Sequence, residues 1–427
     1  MKVAGVVAHL LSSAAVALGF QLQMPLTPLD DAALPSAPSA PSPESNVPSY
    51  RDELVSLHKS LVEISSITYA EHDVGEFLAD YLTKRDFVVA LEFLPPSNTS
   101  DADGNGKRRF NVLAWPGPGR HPSPKVLVTS HIDTVPPYIP YSRSDDVLNG
   151  ETVIAGRGSV DAKASVAAQI IAVLELLHAE SIDPRDVMLL FVVGEERTGD
   201  GMRYYSNNPS FLEPASVVKA AIFGEPTEGK LACGHKGFFG CTITAHGKAG
   251  HSGYPWLGKS ATELLMRGVV KILDTDLGSS EKFGNTTVNV GIIEGGVALN
   301  VIPELAVARI AGRVAIGPES DGGKTIVGRV EEVLKSVDEE AFELSCVNGY
   351  GVVECACDVP DFETVIVNYG TDVPNLRGSH ARYLYGPGSI LVAHGADEAI
   401  KLKDLEAGVE GFKKIILHAL GDAAGEP

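Results

Sequence analysis

The chain predicts an α/β sheet domain interrupted in sequence by a smaller α+β domain, and three features carry that reading. Short apolar runs at Val126-Leu127-Val128, Val187 to Val193 and Val218 to Phe223 have the unbroken character of buried parallel strands. Each run leads directly into histidine or acidic residues, and open α/β sheets carry their sites beyond the carboxyl ends of their strands. Between the third run and the C-terminus, residues 237–348 follow the order β-α-β-β-α-β of a split-βαβ, or ferredoxin-like, unit.

The elements follow in order from Tyr50. Leu54, Leu57, Leu61 and Ile64 recur at helical spacing, and a second helix is expected over Val74 to Thr83. Phe87 to Phe93 and Arg109 to Trp115 read as strands around a polar loop, Asp101 to Lys107. After Val126-Val128, the stretch Gly156-Arg157-Gly158-Ser159-Val160-Asp161 leads into a helix with Asp161 at its expected N-cap. In the middle unit, strands are expected at Phe238 to Ala245, Thr286 to Ile293, Leu305 to Val314 and Phe342 to Val347. Helices at Ser260 to Ile272 and Thr325 to Val337 separate them. A strand at Thr364 to Val367, a loop with His394 and a helix over Leu405 to Leu420 complete the sheet domain. The divisions are therefore 50–236 and 349–427 for the sheet domain and 237–348 for the insert.

Residues 1–49 have another character. Met1-Lys2 and the apolar run Val3 to Gly19 form a secretory signal, followed by a Pro/Ser/Ala-rich linker or propeptide over 20–49. Export would leave no membrane attachment, and the expected location is extracellular. Asn98 and Asn285 head glycosylation sequons. Five cysteines allow one disulfide, or two with a thiol left over, and Cys346 with Cys355 or Cys357 is the first pairing expected. A net charge of -20 excludes a general nucleic-acid binder, which selects for basic patches.

The chemistry lies at the strand ends. His131 and Asp133, Asp161, Glu195-Glu196 and Glu225 are each separated by about one strand-helix unit, and His394 joins them from the C-terminal part. Imidazoles and carboxylates of this kind suit zinc. Two zinc ions can share one carboxylate: Asp161 would bridge, His131 and Glu225 completing one ion and Glu196 and His394 the other. Asp133 would hold the His131 ring in its ligating tautomer. Glu195 would act as general base.

These motifs resemble the dizinc exopeptidase and deacylase family of glutamate carboxypeptidase, aminoacylase and succinyl-diaminopimelate desuccinylase. The matching stretches are Ser130-His131-Ile132-Asp133-Thr134-Val135, the Asp161 stretch, Gly194-Glu195-Glu196, Gly224-Glu225-Pro226 and Ala393-His394. In the insert they are Gly247-Lys248-Ala249-Gly250-His251-Ser252 and Gly295-Gly296 leading to Asn300-Val301-Ile302-Pro303. Tyr385-Gly386-Pro387-Gly388 resembles the family's secreted fungal carboxypeptidase branch. The resemblance implies a dizinc sheet domain with a lid or dimerisation insert, and a homodimer through that lid. It implies hydrolysis of a C-terminal peptide bond, or deacylation of N-acyl amino acids or cleavage of dipeptides at the same site. It also implies that His251 stabilises an oxyanion and that Asn300 and Arg313 bind substrate. Ala311, two residues before Arg313, departs from the acidic residue common there.

Two other classes compete. Gly253-Tyr254-Pro255-Trp256-Leu257-Gly258-Lys259-Ser260 fits a phosphate-loop pattern, but Pro255 removes a backbone donor and Gly247 to Ser252 separates the loop from the preceding strand. A non-catalytic module with a decayed metal site would have lost Glu195 or a ligand, and none is lost. Taken singly, His131 reads as a core histidine and Glu195-Glu196 as a solvated pair; the ordered set is what points to metal.

Overall fold

The computed structural model describes residues 47–96, 107–117, 123–208, 218–347 and 349–423. The expected signal at 1–19, nearly all of the 20–49 linker and Asn98 lie outside the described residues.

The apolar runs form the centre of a nine-stranded sheet. Its order runs Phe87–Phe93, Phe110–Pro116, Val187–Val192, Val126–His131, Ala220–Gly224, Ala381–Tyr385, Leu231–His235, Val353–Glu354, with Thr364–Val367 also paired to Leu231–His235. Val126–His131 lies parallel to both Val187–Val192 and Ala220–Gly224, and Ala381–Tyr385 lies parallel to the latter. Alternation along these strands divides the core between two faces. Val126, Val128, Leu189 and Phe191 pack with the helices Arg51–Glu63, Lys163–His178 and Leu402–Ala423, whereas Leu127, Met188, Leu190 and Val192 pack with Met202 and Tyr205 of Asp200–Asn207. Lys163–His178 is buried around nearly its whole circumference, because the sheet lies on one side and Leu402–Ala423 on the other. Its N-cap is Ala162 rather than Asp161, and no side chain caps it; the Asp161 carboxylate is turned toward histidines instead.

A second, four-stranded antiparallel sheet has the order Thr287–Gly295, Leu305–Val314, Gly237–His246, Phe342–Cys346. With the helices Ala261–Asp274 and Gly322–Lys335, this is the ferredoxin-like α+β unit. Burial alternates strictly along Gly237–His246, and Phe239, Cys241, Ile243 and Ala245 meet Leu265, Val269, Ile326 and Val330 of the two helices. The phosphate-loop pattern resolves into an exposed turn: Lys259 pairs with Asp338 at 2.6 Å, and Ser260 caps the Ala261–Asp274 helix.

The expected pairing of Cys346 with Cys355 or Cys357 is incorrect. Cys346 joins Cys241 on the neighbouring strand, Cys233 joins Cys357, and Cys355 is free. Cross-strand register decides this, because Cys346 and Cys241 stand directly opposite in the ladder. No helix among the described residues is long and apolar enough to cross a membrane.

On the edge strand Phe87–Phe93, Glu92 is a buried carboxylate with no ion pair among the described residues. Glu92 is 4 % exposed and accepts from Asn111 at 2.8 Å. Burial lifts its pKa to about 7. The folded state therefore favours the protonated form; that contribution is complete below the unfolded pKa near 4.5 and is lost as pH rises through about 7. Glu92→Gln should melt on the order of a few °C above wild type at pH 8, the gap closing toward pH 4.5 in a thermal unfolding series.

Candidate metal centre

Three strand-end segments, the turn before the Lys163–His178 helix and one loop converge at the carboxyl edge of the larger sheet. His131 is the last residue of its strand, where Ile132 N donates to Val192 O and Thr134 N to Ser66 O. The His131 Nδ1–H donates to the main-chain oxygen of Asp133 at 3.0 Å, which leaves Nε2 facing Asp161 Oδ1 at 3.0 Å and Glu225 Oε1 at 3.8 Å. His394 enters from the loop before the last helix. Its Nε2 lies 3.3 Å from Asp161 Oδ2 and 2.9 Å from Glu196 Oε2. Asp161 thus presents one oxygen to each histidine. Two groups follow, His131-Asp161-Glu225 and Asp161-Glu196-His394, whose ligand atoms each lie within 4.8 Å of one another.

Asp133 does more than orient a ring. Its carboxylate is 3.5 Å from His131 Nδ1, and it accepts from the amides of Glu195 at 3.1 Å and Glu196 at 3.3 Å and from Thr68 Oγ1 at 2.8 Å. The loop carrying both glutamates is thereby pinned to the strand that carries His131. Gly194 permits the turn: its φ is +80°, and a Cβ there would lie 2.0 Å from Asp200 Oδ1 and 2.5 Å from Arg109 Nη2. Arg109 donates to Glu71 through Nε and Nη2 at 2.9 Å and to Asp200 at 2.7 Å, closing the back of this loop.

The charge balance tests the fit to a metal. Asp133, Asp161, Glu225 and Asp372 are buried, with Glu195 and Glu196 partly enclosed beside them and the imidazoles of His131 and His394 set among them. Burial, reinforced by Asp161 and Glu196 against His131, holds the Glu225 carboxyl well above its usual range. Burial and Glu225 do the same to Glu195. Glu196 Oε1 is buried with no hydrogen-bond partner. So many carboxylates crowded together out of water are costly. Divalent cations would relieve that crowding, and the donor set of imidazole nitrogen and carboxylate oxygen is one zinc accepts. The residues fit the group.

A cavity of about 630 Å³ opens beside this centre, lined by Asp161, Glu195, Glu196, Glu225 and His394 and also by Arg203, Arg313, Tyr350, Tyr369 and Thr371. Arg313 comes from the smaller sheet, so both sheets build its walls. His251 and Asn300 do not line it. Both are exposed: His251 lies on a two-stranded ribbon paired with Val301, and Asn300, in the turn before that strand, accepts from Ser252 N through its main-chain oxygen at 3.0 Å. Asn285 is exposed on the same unit. Tyr369, Thr371 and Asp372 escaped the sequence reading. Their signal was the polar stretch Asn368-Tyr369-Gly370-Thr371-Asp372 directly beyond the Thr364–Val367 strand.

Fold and site define a metal-dependent hydrolase of the α/β sheet type. Comparison with known proteins agrees. Residues 233–341 match the peptidase dimerisation domain of the M20 family, and 111–236 match peptidase family M28. A peptidase M20 domain-containing protein of Sordaria macrospora is 56% identical over 402 residues, covering 90% of this chain and 88% of its own. A probable carboxypeptidase of Aspergillus fumigatus is 44% identical, covering 87% and 88%. Among solved structures, an aminopeptidase of Bacillus cereus superposes with a TM-score of 0.66 at 19% identity over 87% of this chain and 99% of that one. An M20 family metallo-carboxypeptidase of Sulfolobus solfataricus gives 0.63 at 15% over 86% and 99%. The chain belongs to the M20 family of metallopeptidases and is a peptide-bond hydrolase.

Asp161→Asn, which weakens the shared ligand of both groups, should lose most bound metal. Glu196→Gln should weaken one site and spare the other. Metal analysis after dialysis against a weak chelator checks both; equal retention by the two variants would remove Asp161 from its shared position.

Proposed function

We propose that this chain is an exported zinc carboxypeptidase that releases a C-terminal amino acid from peptides. The observation that carries the reading is the division of Asp161 between His131 and His394, one carboxylate oxygen to each. His131, Asp161 and Glu225 would hold one zinc ion and Asp161, Glu196 and His394 the other. Bound at such sites, zinc supplies Lewis-acid polarisation of the scissile carbonyl and lowers the pKa of water toward neutrality. Glu195 lines the cavity beside both groups and is not needed as a ligand by either. Its carboxylate takes the proton of the attacking water and delivers it to the leaving nitrogen.

The substrate assignment rests on the opposite wall. Arg313 and Arg203 face the same cavity, and an arginine fork matches a carboxylate at both oxygens. A peptide lying between that wall and the acidic centre would place its terminal carboxylate on arginine and its last amide bond beside Glu195. The 44% identity to a probable carboxypeptidase supports the carboxypeptidase reading. The two disulfides support an oxidising destination, consistent with export by the Met1–Gly19 segment and with sugar on Asn98 and Asn285. His251 and Asn300 would reach the substrate either by closure of the smaller domain or from the partner in a dimer, where His251 would donate to the developing oxyanion.

Amino-acid release from a panel of blocked dipeptides, N-acyl amino acids and longer peptides tests the assignment. Longer peptides should be cleaved from the C-terminus; preference for N-acyl amino acids would make it a deacylase. Glu195→Gln should keep its metal and lose on the order of 10²–10⁴ in kcat. His251→Ala should lose on the order of 10²–10³ with metal unchanged. Mixing these two inactive chains should restore part of the activity if His251 acts across a dimer; wild-type turnover by His251→Ala would remove its role.

A further inference from the structure

Behind the site lies a buried ion pair, Arg157 with Glu398, whose side chains do not themselves line the cavity. Arg157 is 2 % exposed and Glu398 is 1 % exposed, and Arg157 Nη1 donates to Glu398 Oε2 at 2.5 Å. The other oxygen, Glu398 Oε1, accepts from the main-chain amides of Val160 at 3.0 Å and Asp161 at 3.1 Å. Ser159 Oγ donates to the Glu398 main-chain oxygen at 3.1 Å. Glu398 therefore fixes the backbone immediately before and at the shared carboxylate.

Arg157 acts in the other direction. Its Nη2 donates to the main-chain oxygen of His394 at 3.3 Å, Nη1 to that of Gly395 at 3.2 Å and Nε to that of Pro137 at 3.3 Å. His394 needs such support. Its φ is +63°, in the left-handed region that a non-glycine residue occupies only when its surroundings hold it there, and its side chain is 52 % exposed. Gly156, beside Arg157, has φ +143°, and a Cβ there would lie 2.7 Å from Val62 of the Arg51–Glu63 helix, so the backbone passes close to that helix.

We propose that Arg157 and Glu398 form a positioning clamp for one half of the metal centre, setting Asp161 and His394 at ligating separation. The pair spans 241 residues of sequence, so it joins the first catalytic segment to the last. It makes the Asp161-Glu196-His394 group a property of the folded sheet rather than of one loop. His131 and Glu225 belong to neighbouring parallel strands whose ladder already aligns them, so the clamp matters less to their side. This rests on the reading of the two groups as zinc sites.

The test is a double-mutant cycle read as zinc affinity. Arg157→Lys retains a cation for Glu398, but a single ammonium cannot reach the Pro137, His394 and Gly395 oxygens together. Zinc-free wild type, Arg157→Lys, His394→Ala and the double variant would be titrated against a chromophoric chelator, with far-UV circular dichroism as the folding control. Wild type should bind two ions per chain. Arg157→Lys should weaken one of the two steps about 10–100-fold, the size typical for a group that orients a ligand, and it should be the step that His394→Ala removes. In the His394→Ala background the lysine should change nothing further. Should Arg157→Lys fail to fold, Arg157→Met with Glu398→Gln removes both charges, leaves no unpaired buried ion, and carries the same expectation. Two unaltered steps in Arg157→Lys, equal weakening of both, or an undiminished effect without His394 would overturn the clamp. Wild-type zinc binding by His394→Ala would overturn the metal reading beneath it, and the clamp with it.

Discussion

A dense group of carboxylates around two imidazoles is the constraint on which the rest of the molecule depends. Asp161 stands at its middle, 3.0 Å from one histidine and 3.3 Å from the other. Holding Asp133, Asp161, Glu195, Glu196, Glu225 and Asp372 together opposes folding, since like charges repel and burial removes their hydration. The core around them must supply what they cost. The sheet strands on either side are buried end to end, and Lys163–His178 is packed on nearly all sides. Rigid apolar packing beneath and charge repulsion above, to be relieved by a cation, are two parts of one arrangement.

Parallel strands solve the placement problem. Their carboxyl ends lie side by side, so His131, the Glu195-Glu196 loop and Glu225 arrive at one edge without long excursions. What strand alignment does not supply is orientation, and hydrogen bonds to main chain provide it. The Asp133 carboxylate holds the two glutamate amides, the Asp133 carbonyl holds the His131 ring, and Glu398 holds the amide of Asp161. The sequence assigns Asp133 to holding the His131 ring; its main-chain oxygen accepts from the ring Nδ1–H at 3.0 Å, and its carboxylate, 3.5 Å from the same nitrogen, also holds the loop.

The smaller domain contributes at a different level. Its sheet buries one face against two helices and carries Arg313 to the cavity. Its His251 and Asn300 are exposed and apart from that cavity. A residue's type and motif say what chemistry it can perform, whereas its distance from the substrate depends on how one rigid unit meets another.

Local pattern, with the family resemblance, placed the sheet domain, its inserted α+β unit and the candidate ligand residues, but it did not show the strands Leu231–His235, Ala381–Tyr385 and Val353–Glu354 of the larger sheet. A buried strand must be apolar, a chemistry-bearing residue must stand at its end, and both properties are written within a few adjacent positions. Element ends shifted by a few residues: His131 closes its strand instead of following it, and Asp161 precedes its helix without capping it. Only tertiary structure decided the disulfides, the second cavity wall of Tyr369 and Thr371, and the Arg157–Glu398 pair. Cys241 and Cys346 meet because antiparallel register sets them opposite, across 105 residues of chain. Arg157 and Glu398 meet because the last segment returns beside the first. Such contacts have no periodicity and no motif of their own; they exist where distant backbone is brought together, and the sequence near either partner carries no mark of the other.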